Sequence, residues 1–556
     1  MWRYWLCPLF VLTALADAVQ ESKVVRTESG PVRGYKDPEI GVFQFFGIPY
    51  ATAPTGVNKF KAPLPAPTWE DIRDPPSEEI TCPQTSSPFT ATNANMIEDC
   101  LIANVHVPDT TEDNLSVVVY VHGGGFQIGY GNLIQPKIFV KEQNIIVVSF
   151  NYRLGVHGFL CLGTENAPGN AGMKDQVALL RWVKNNIARF GGNPEDVTIA
   201  GSSAGSSAVD LIMLSKSATG LFTKVIPESG SNNAAFAIQQ DPLENAKYFA
   251  KVLKFNNLND IYALEQFYTT ATFEQLTSDS FGDRTDSTFL FSPCVERSGN
   301  NEVFLDKSPL DILKIGNFKK VPLLYGFANM EGIIRMGYFD DWKIKMNKKF
   351  SDFLPADLKF ANEEEKELVA LKIREFYFGD KPIENDQALA YVDYFSDVMF
   401  AYPALRSVQL QVEDGHDQIY LYDYSFVDEE TPVVPYTNVK GANHCAQTFA
   451  VMAGKIPHVD LVITEEFKNM SRIVRRLWGN FIKTGKPVPE GSDLPAWPAV
   501  SGQWSPHMSL GNELQLKGSL LLERTLFWDD IYSKYYREPV PPPKGLSEIL
   551  PLNLKG

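Results

Sequence analysis

Basic charge is in short supply in this 556-residue sequence, where 51 Lys and Arg stand against 67 Asp and Glu for a formal charge of -16. Phosphate neutralisation needs clustered cations, so the deficit argues against a nucleic-acid partner and against docking on anionic lipid. Long apolar runs are missing too. The stretch from Trp5 to Leu12 is apolar but too short to span a bilayer, and no later segment is long enough to anchor the chain. Arg3 precedes that stretch, and the small-residue sites Ala14-Leu15-Ala16 and Ala16-Asp17-Ala18 follow it. This is the layout of a secretory signal over residues 1–18, with the mature chain starting near Asp17 or Val19. The final Leu-Asn-Leu-Lys-Gly is no retention signal. The expectation is a secreted, extracellular protein without a membrane anchor.

Cysteine is scarce, with six in all, and Cys7 falls in the signal, which leaves an odd number. Cys82 and Cys100, close in sequence and in polar surroundings, are the candidate disulfide. Cys161, Cys294 and Cys445 lie among apolar or strand-like residues and read as buried free thiols. No Cys/His cluster has zinc-ligand spacing, so no metal is expected. Two sequons, Asn114-Leu115-Ser116 and Asn469-Met470-Ser471, are candidate glycosylation sites. Repeats and Gly/Ser linkers are absent. Residues 19–538 therefore read as one large domain, followed by a proline-rich tail over residues 539–556.

What is present alternates in type. Short runs rich in β-formers, Ser116–Val121, Asn144–Phe150, Val197–Ala200, Val321–Gly326 and Ile419–Phe426, suit buried strands of an α/β fold. Met173–Phe190 carries apolar residues at three- and four-residue spacing, which predicts an amphipathic helix, and Gly191-Gly192-Asn193-Pro194 stops it. The third strand runs into Gly201-Ser202-Ser203-Ala204-Gly205, and a helical run from Ala208 to Leu214 follows. Strand, G-x-S-x-G and helix in that order make a nucleophile elbow, which lifts the Ser203 hydroxyl above the sheet at a helix N-terminus. Ser202 and Ser206 lack the glycine spacing. A glycine-rich helix cap is the plain alternative for the same residues.

Upstream, the first strand ends in His122-Gly123-Gly124-Gly125-Phe126. Glycines leave backbone N–H groups unshielded, and this run has the form of an oxyanion hole completed by the N–H of Ala204. No Walker Lys-Ser/Thr follows, which disfavours a phosphate loop. In this chain order an acid and then a histidine should come after the serine. Glu331 sits in a loop at a strand end, one acid among many. Of the histidines after Ser203, His416 reads as part of a solvated turn, and His458 and His507 follow prolines as ordinary loop residues. His444 lies in the loop Gly441-Ala442-Asn443-His444 after a strand and is the candidate base.

From about residue 24 to about residue 530 the chain resembles the type-B carboxylesterase/cholinesterase family. The matching motifs are Phe46-Gly47-Ile48-Pro49-Tyr50-Ala51, Glu98-Asp99-Cys100-Leu101, Asn151-Tyr152-Arg153-Leu154-Gly155, Lys174-Asp175-Gln176, Phe190-Gly191-Gly192-Asn193-Pro194 and Glu228-Ser229-Gly230-Ser231. The resemblance implies an α/β-hydrolase fold, a mostly parallel sheet flanked by helices. It also implies a Ser203–His444–Glu331 triad, oxyanion donors at Gly124, Gly125 and Ala204, and a Cys82–Cys100 disulfide. An Arg153–Asp175 salt bridge, a supporting Ser229 and a mechanism without cofactor follow from it as well. Phe289 and Phe291 fall near its acyl-pocket aromatics, where ordinary core packing serves equally.

Departures narrow the expectation. No tryptophan occurs from Pro88 to Met96, where cholinesterases stack one on a quaternary ammonium. Ser202 stands before the nucleophile, where the family often has Glu, and Cys445-Ala446-Gln447 follows the histidine. A choline ester is disfavoured, and a juvenile hormone ester is the second choice. Neutral carboxylic esters, among them lipophilic acetates such as odorants and xenobiotic esters, come first. A non-catalytic adhesion protein of this fold is the rival reading, but such relatives typically lose triad residues and carry an anchor.

Overall fold

The computed structural model describes residues 20–87, 94–278, 284–297, 302–452 and 462–543. The signal at 1–18, His458 and residues 544–556 of the tail lie outside them. One sheet of twelve strands organises the chain. In chain order these are β1 (Ser22–Arg26), β2 (Pro31–Lys36), β3 (Val42–Pro49), β4 (Ile102–Pro108), β5 (Leu115–Val121) and β6 (Ile146–Phe150). Then come β7 (Gly192–Ser202), β8 (Lys224–Glu228), β9 (Leu323–Ala328), β10 (Ile419–Tyr424), β11 (His507–Leu510) and β12 (Leu514–Lys517). Their spatial order is β1-β2-β3-β4-β6-β5-β7-β8-β9-β10-β11-β12. The block from β6 to β11 is parallel, and antiparallel strands close both edges. This is the expected α/β-hydrolase architecture.

Both faces of the central strands are buried, which explains their near-continuous apolar sequence. The strand period of two sorts the side chains. Val117, Val119, Val121, Ile199 and Val225 join the core on one face, whereas Val118, Tyr120, Ala200 and Ile226 join the core on the other. Helices α1 (Ala171–Asn186) and α2 (Ala204–Leu214) pack on the first face. On the second lie α3 (Ala446–Met452) and α4 (Glu465–Thr484), the latter through Leu477, Trp478 and Phe481. The expected helix over 173–190 is α1 followed by a 3-10 turn, Ile187–Phe190, and Gly191 ends it at φ 90°.

Three sequence expectations need correction. Cys161 and Cys294 are not free thiols but form a disulfide across 133 residues, beside the Cys82–Cys100 bridge. Apolar neighbours suit a buried disulfide as well as a buried thiol, and only tertiary contact joins partners so far apart. Asn170 lies against Cys294, donating from Nδ2 to its carbonyl and accepting its N–H, each at 2.8 Å. Among the described cysteines Cys445 alone is free, and it is partly rather than fully buried. His416 is no solvated turn residue. Its ring is buried against Gln411, 3.1 Å away, and burial lowers its pKa to about 4. His507 opens β11, its Nδ1 lying 2.6 Å from the Gly518 carbonyl.

The Arg153–Asp175 pair expected from sequence is wholly interior. The guanidinium meets Asp175 through Nε at 2.8 Å and Nη2 at 2.6 Å, and Nη1 donates to the carbonyls of Lys59 and Lys61. Removing one partner of such a pair strands a charge in the core, at a cost of ~3–5 kcal/mol. Asp175→Leu should therefore lower unfolding stability by that order, whereas Arg153→Leu combined with Asp175→Leu should cost clearly less. Denaturant melts of the two variants check the difference.

Candidate active site

The carboxyl ends of β5, β7, β8, β9 and β10 meet at one edge of the sheet, where ligand sites of open α/β sheets lie. Ser203, the residue after β7, adopts φ 57° and ψ -126° and forms the N-cap of α2. That backbone is strained for a non-glycine residue, by about 1–3 kcal/mol. Neighbouring chains hold it: the Ser203 N–H donates to the Glu228 carbonyl at 2.9 Å, and the Ser207 N–H donates back to the Ser203 carbonyl. The turn has no room for side chains on either flank. A Cβ on Gly205 would lie 2.1 Å from the Val121 carbonyl oxygen.

The glycine loop after β5 sits directly against this turn. A Cβ on Gly123 would come 2.7 Å from the Ser202 carbonyl oxygen and 2.9 Å from Ser203 Cβ. Gly124 and Gly125 follow at φ 106° and 62°, a left-handed path that turns the loop away from β5. Among the described residues their N–H groups donate to no acceptor. The Ala204 N–H opens α2, where first-turn donors have no partner within the helix. The loop is held from behind by Tyr152, whose hydroxyl donates to the His122 carbonyl at 2.9 Å.

Glu331 begins a 3-10 turn, Glu331–Tyr338, just beyond β9 and is fully buried. Its Oε1 accepts the Ala328 N–H at 2.7 Å, and its Oε2 pairs with Nδ1 of His444. Backbone and side-chain bonds zip the two loops together: Met330 N–H to the Ala442 carbonyl, and Ala442 N–H to Asn329 Oδ1. Burial disfavours a charged His444, but the adjacent Cys445 sulfur and the Glu331 carboxylate favour it, and the balance lies above the ordinary histidine value. The helix after His444, α3, is tied to the end of β8 by two side-chain bonds. Gln447 Nε2 donates to Ser229 Oγ at 2.7 Å and Thr448 Oγ1 to Glu228 Oε2 at 3.2 Å.

Phe400 packs on the His444 ring at a centroid distance of 4.4 Å with the ring planes tilted by 36°, Phe236 contacts Phe400 at 5.8 Å, and Phe289 contacts Phe236 at 5.6 Å. Sequence reading missed Phe236 and Phe400, since each lies in an unremarkable apolar run. Phe400 owes its place to a π-helical turn, Asp397–Ala401, a feature that often marks functional sites. Phe291 instead packs edge-on against Phe249 at 5.5 Å, so the structure separates the two phenylalanines that the sequence grouped. Both nevertheless line a cavity of about 100 Å³ next to Gln127 of the glycine loop. Ser202 points to the opposite face of β7, where its Oγ lies 2.8 Å from the Tyr120 hydroxyl. Among the described residues no group of His, Cys, Asp and Glu is arranged to hold a metal ion.

A sequence profile of the Carboxylesterase family matches residues 21–528. The chain belongs to the carboxylesterase family. It is 33% identical to juvenile hormone esterase of Heliothis virescens over 89% of this chain and 91% of that one. It is 31% identical to liver carboxylesterase of Sus scrofa over 95% and 97%. The crystal structure of juvenile hormone esterase from Manduca sexta, with OTFP covalently attached, superposes with a TM-score of 0.82 at 29% identity, covering 92% of this chain and all of that one. This protein is accordingly a carboxylic ester hydrolase with the α/β-hydrolase fold.

With His444 proposed as the base, its neutral imidazole would be the working form, and the acid limb of kcat/KM would track the His444 pKa. Because Glu331 helps raise that pKa, the limb should lie above the ordinary 6.5 for histidine. Glu331→Gln should move it toward acid while lowering kcat by about 10²–10⁴, as loss of the orienting acid does elsewhere. A pH–rate profile of the two forms measures both effects.

Proposed function

We propose that this carboxylesterase is a secreted serine esterase that hydrolyses neutral, lipophilic carboxylic esters through Ser203, His444 and Glu331. Two observations carry the reading: the buried Glu331–His444 hydrogen bond, and a strained serine elbow that abuts a glycine loop. In this mechanism His444 takes the Ser203 proton as the serine oxygen attacks the ester carbonyl. The Gly124, Gly125 and Ala204 N–H groups then stabilise the oxyanion, and His444 returns the proton to the departing alcohol. Water repeats the sequence on the acyl-enzyme. Glu331 fixes the imidazole tautomer and favours its cationic form.

The substrate class follows from what surrounds His444. Phe400, Phe236 and Phe289 form a continuous aromatic wall. The sequence from Pro88 to Met96 has no tryptophan to hold a quaternary ammonium. An uncharged acyl or alkyl group suits this wall better than a choline. Hydrolysis of an aryl acetate by the parent protein and by Ser203→Ala tests the mechanism. Activity should fall by at least about 10³-fold in the variant, with one organophosphate bound per parent chain. Retention of activity within tenfold would overturn the assignment. Lipophilic acetates, juvenile hormone esters and choline esters then rank the substrates, the choline ester being expected last.

Secretion is supported by the N-terminal signal pattern and by two disulfides, which persist in oxidising compartments. Asn114 and Asn469 are both exposed, as glycan acceptors must be. Protein recovered from the medium of expressing cells should start near Asp17 or Val19. It should also shift to lower mass with an N-glycosidase, and Asn114→Gln with Asn469→Gln should abolish that shift.

A further inference from the structure

Ser202 takes the place of the glutamate that often precedes the nucleophile in this family, yet the structure does not leave the region without a carboxyl. Ser202 and Glu228 are register partners across β7 and β8. Alternation puts Ser202, Tyr120, Glu228 and Tyr422 on the same face of the sheet, the one covered by α3 and α4. Glu228 is 1% exposed. Its carbonyl accepts the Ser203 N–H at 2.9 Å, and its Oε2 accepts the Thr448 hydroxyl at 3.2 Å. One residue thus touches both the nucleophile turn and the helix that follows His444.

We propose that Glu228 is a positioning residue which couples the Ser203 turn to α3 and thereby to His444, and that it does so in its protonated, neutral form. The inference rests on the reading of Ser203 and His444 as nucleophile and base. The groups facing the carboxyl are Tyr120 from β5, Tyr422 from β10, Thr448 of α3, and Trp478 of α4. Gln447 and Cys445 lie next to Tyr422, and Glu331 acts on that tyrosine from β9. None of these is a cation, apart from His444 itself when protonated. Glu228 Oε1 makes no direct hydrogen bond among the described residues. A buried carboxylate with one close donor, Thr448, weaker support from Trp478 and Tyr422, and no counter-charge is costly, so the neutral acid is the form that this environment favours. Burial raises the carboxyl to about 8, partly offset by Thr448, Trp478 and Tyr422. Ionisation would place a negative charge behind the serine, opposing the charge that develops on the oxyanion.

The sign of the effect is fixed by these surroundings. As pH rises through the Glu228 pKa, the neutral form is lost and kcat should fall, by about tenfold or more between pH 7 and pH 9.5. In Glu228→Gln, which cannot ionise, kcat should be lower than the parent's at pH 7 but change less than twofold over that range. Thr448→Val removes the donor that favours the carboxylate, so its alkaline limb should move to higher pH. KM for an aryl acetate should stay within threefold in both variants. An alkaline limb that persists unmoved in Glu228→Gln and Thr448→Val would overturn the proposal, as would an effect confined to KM. Ser203→Ala in the same assay separates the two readings. If it keeps activity, the nucleophile assignment fails; if it is inactive while the limb is unmoved, only the role of Glu228 fails.

Discussion

The backbone of Ser203 is the constraint around which the rest of the site is arranged. A non-glycine residue at φ 57° and ψ -126° persists only where its surroundings hold it. Here β8 accepts the Ser203 N–H, α2 continues from its carbonyl, and the glycine loop after β5 presses on its Cβ. Each support requires close backbone approach, and each comes from a different element of the sheet. The parallel order β5-β7-β8 brings those strand ends side by side, so the elbow is a product of sheet topology as much as of its own five residues. The same order explains why the proposed oxyanion donors and the proposed nucleophile can share one point although 78 positions separate Gly125 from Ser203 in the chain.

The two faces of the sheet do different work beneath that point. On one face α1 and α2 bury aliphatic residues and the Arg153–Asp175 pair braces α1 against the loop after β6. On the other, tyrosines 120, 422 and 424 bring hydroxyls into an otherwise apolar layer under α3 and α4. Polar groups in such a layer need defined partners, and that requirement fixes α3 relative to β8 through Gln447–Ser229 and Thr448–Glu228. Because α3 starts two residues after His444, this polar layer also bears on the orientation of the proposed base. The aromatic contact from Phe400 adds a second constraint on the ring.

Legibility in the sequence tracked how local each cause is. The elbow, the glycine loop and the central strands are written in contiguous residues, because turn sterics and strand period act over a few positions. Glu331 was one acid among many until the resemblance singled it out. Its pairing with His444 depends on two loops 113 residues apart. The Cys161–Cys294 bridge and the burial of His416 were misread, since apolar or polar neighbours in sequence do not report which distant segment covers a residue. Phe400 was invisible because its orientation depends on a single π turn. Glu228 was visible as part of a motif but not as a neighbour of Ser202, which only the β7–β8 register reveals.

Two carboxyl groups therefore contact the same segment, Glu331 at His444 and Glu228 at Thr448, and their surroundings differ in kind. Glu331 accepts a backbone N–H from β9 and pairs with the ring of His444. Glu228 has a hydroxyl donor, aromatic neighbours and no cation of its own. The surroundings of Glu228 favour the neutral acid that we propose for it. An additional fixed anion next to the serine would suit a cationic substrate and would oppose the oxyanion of a neutral one. A serine at 202, the neutral acid proposed behind it and an aromatic wall beside the proposed base all support the preference for uncharged esters that we propose.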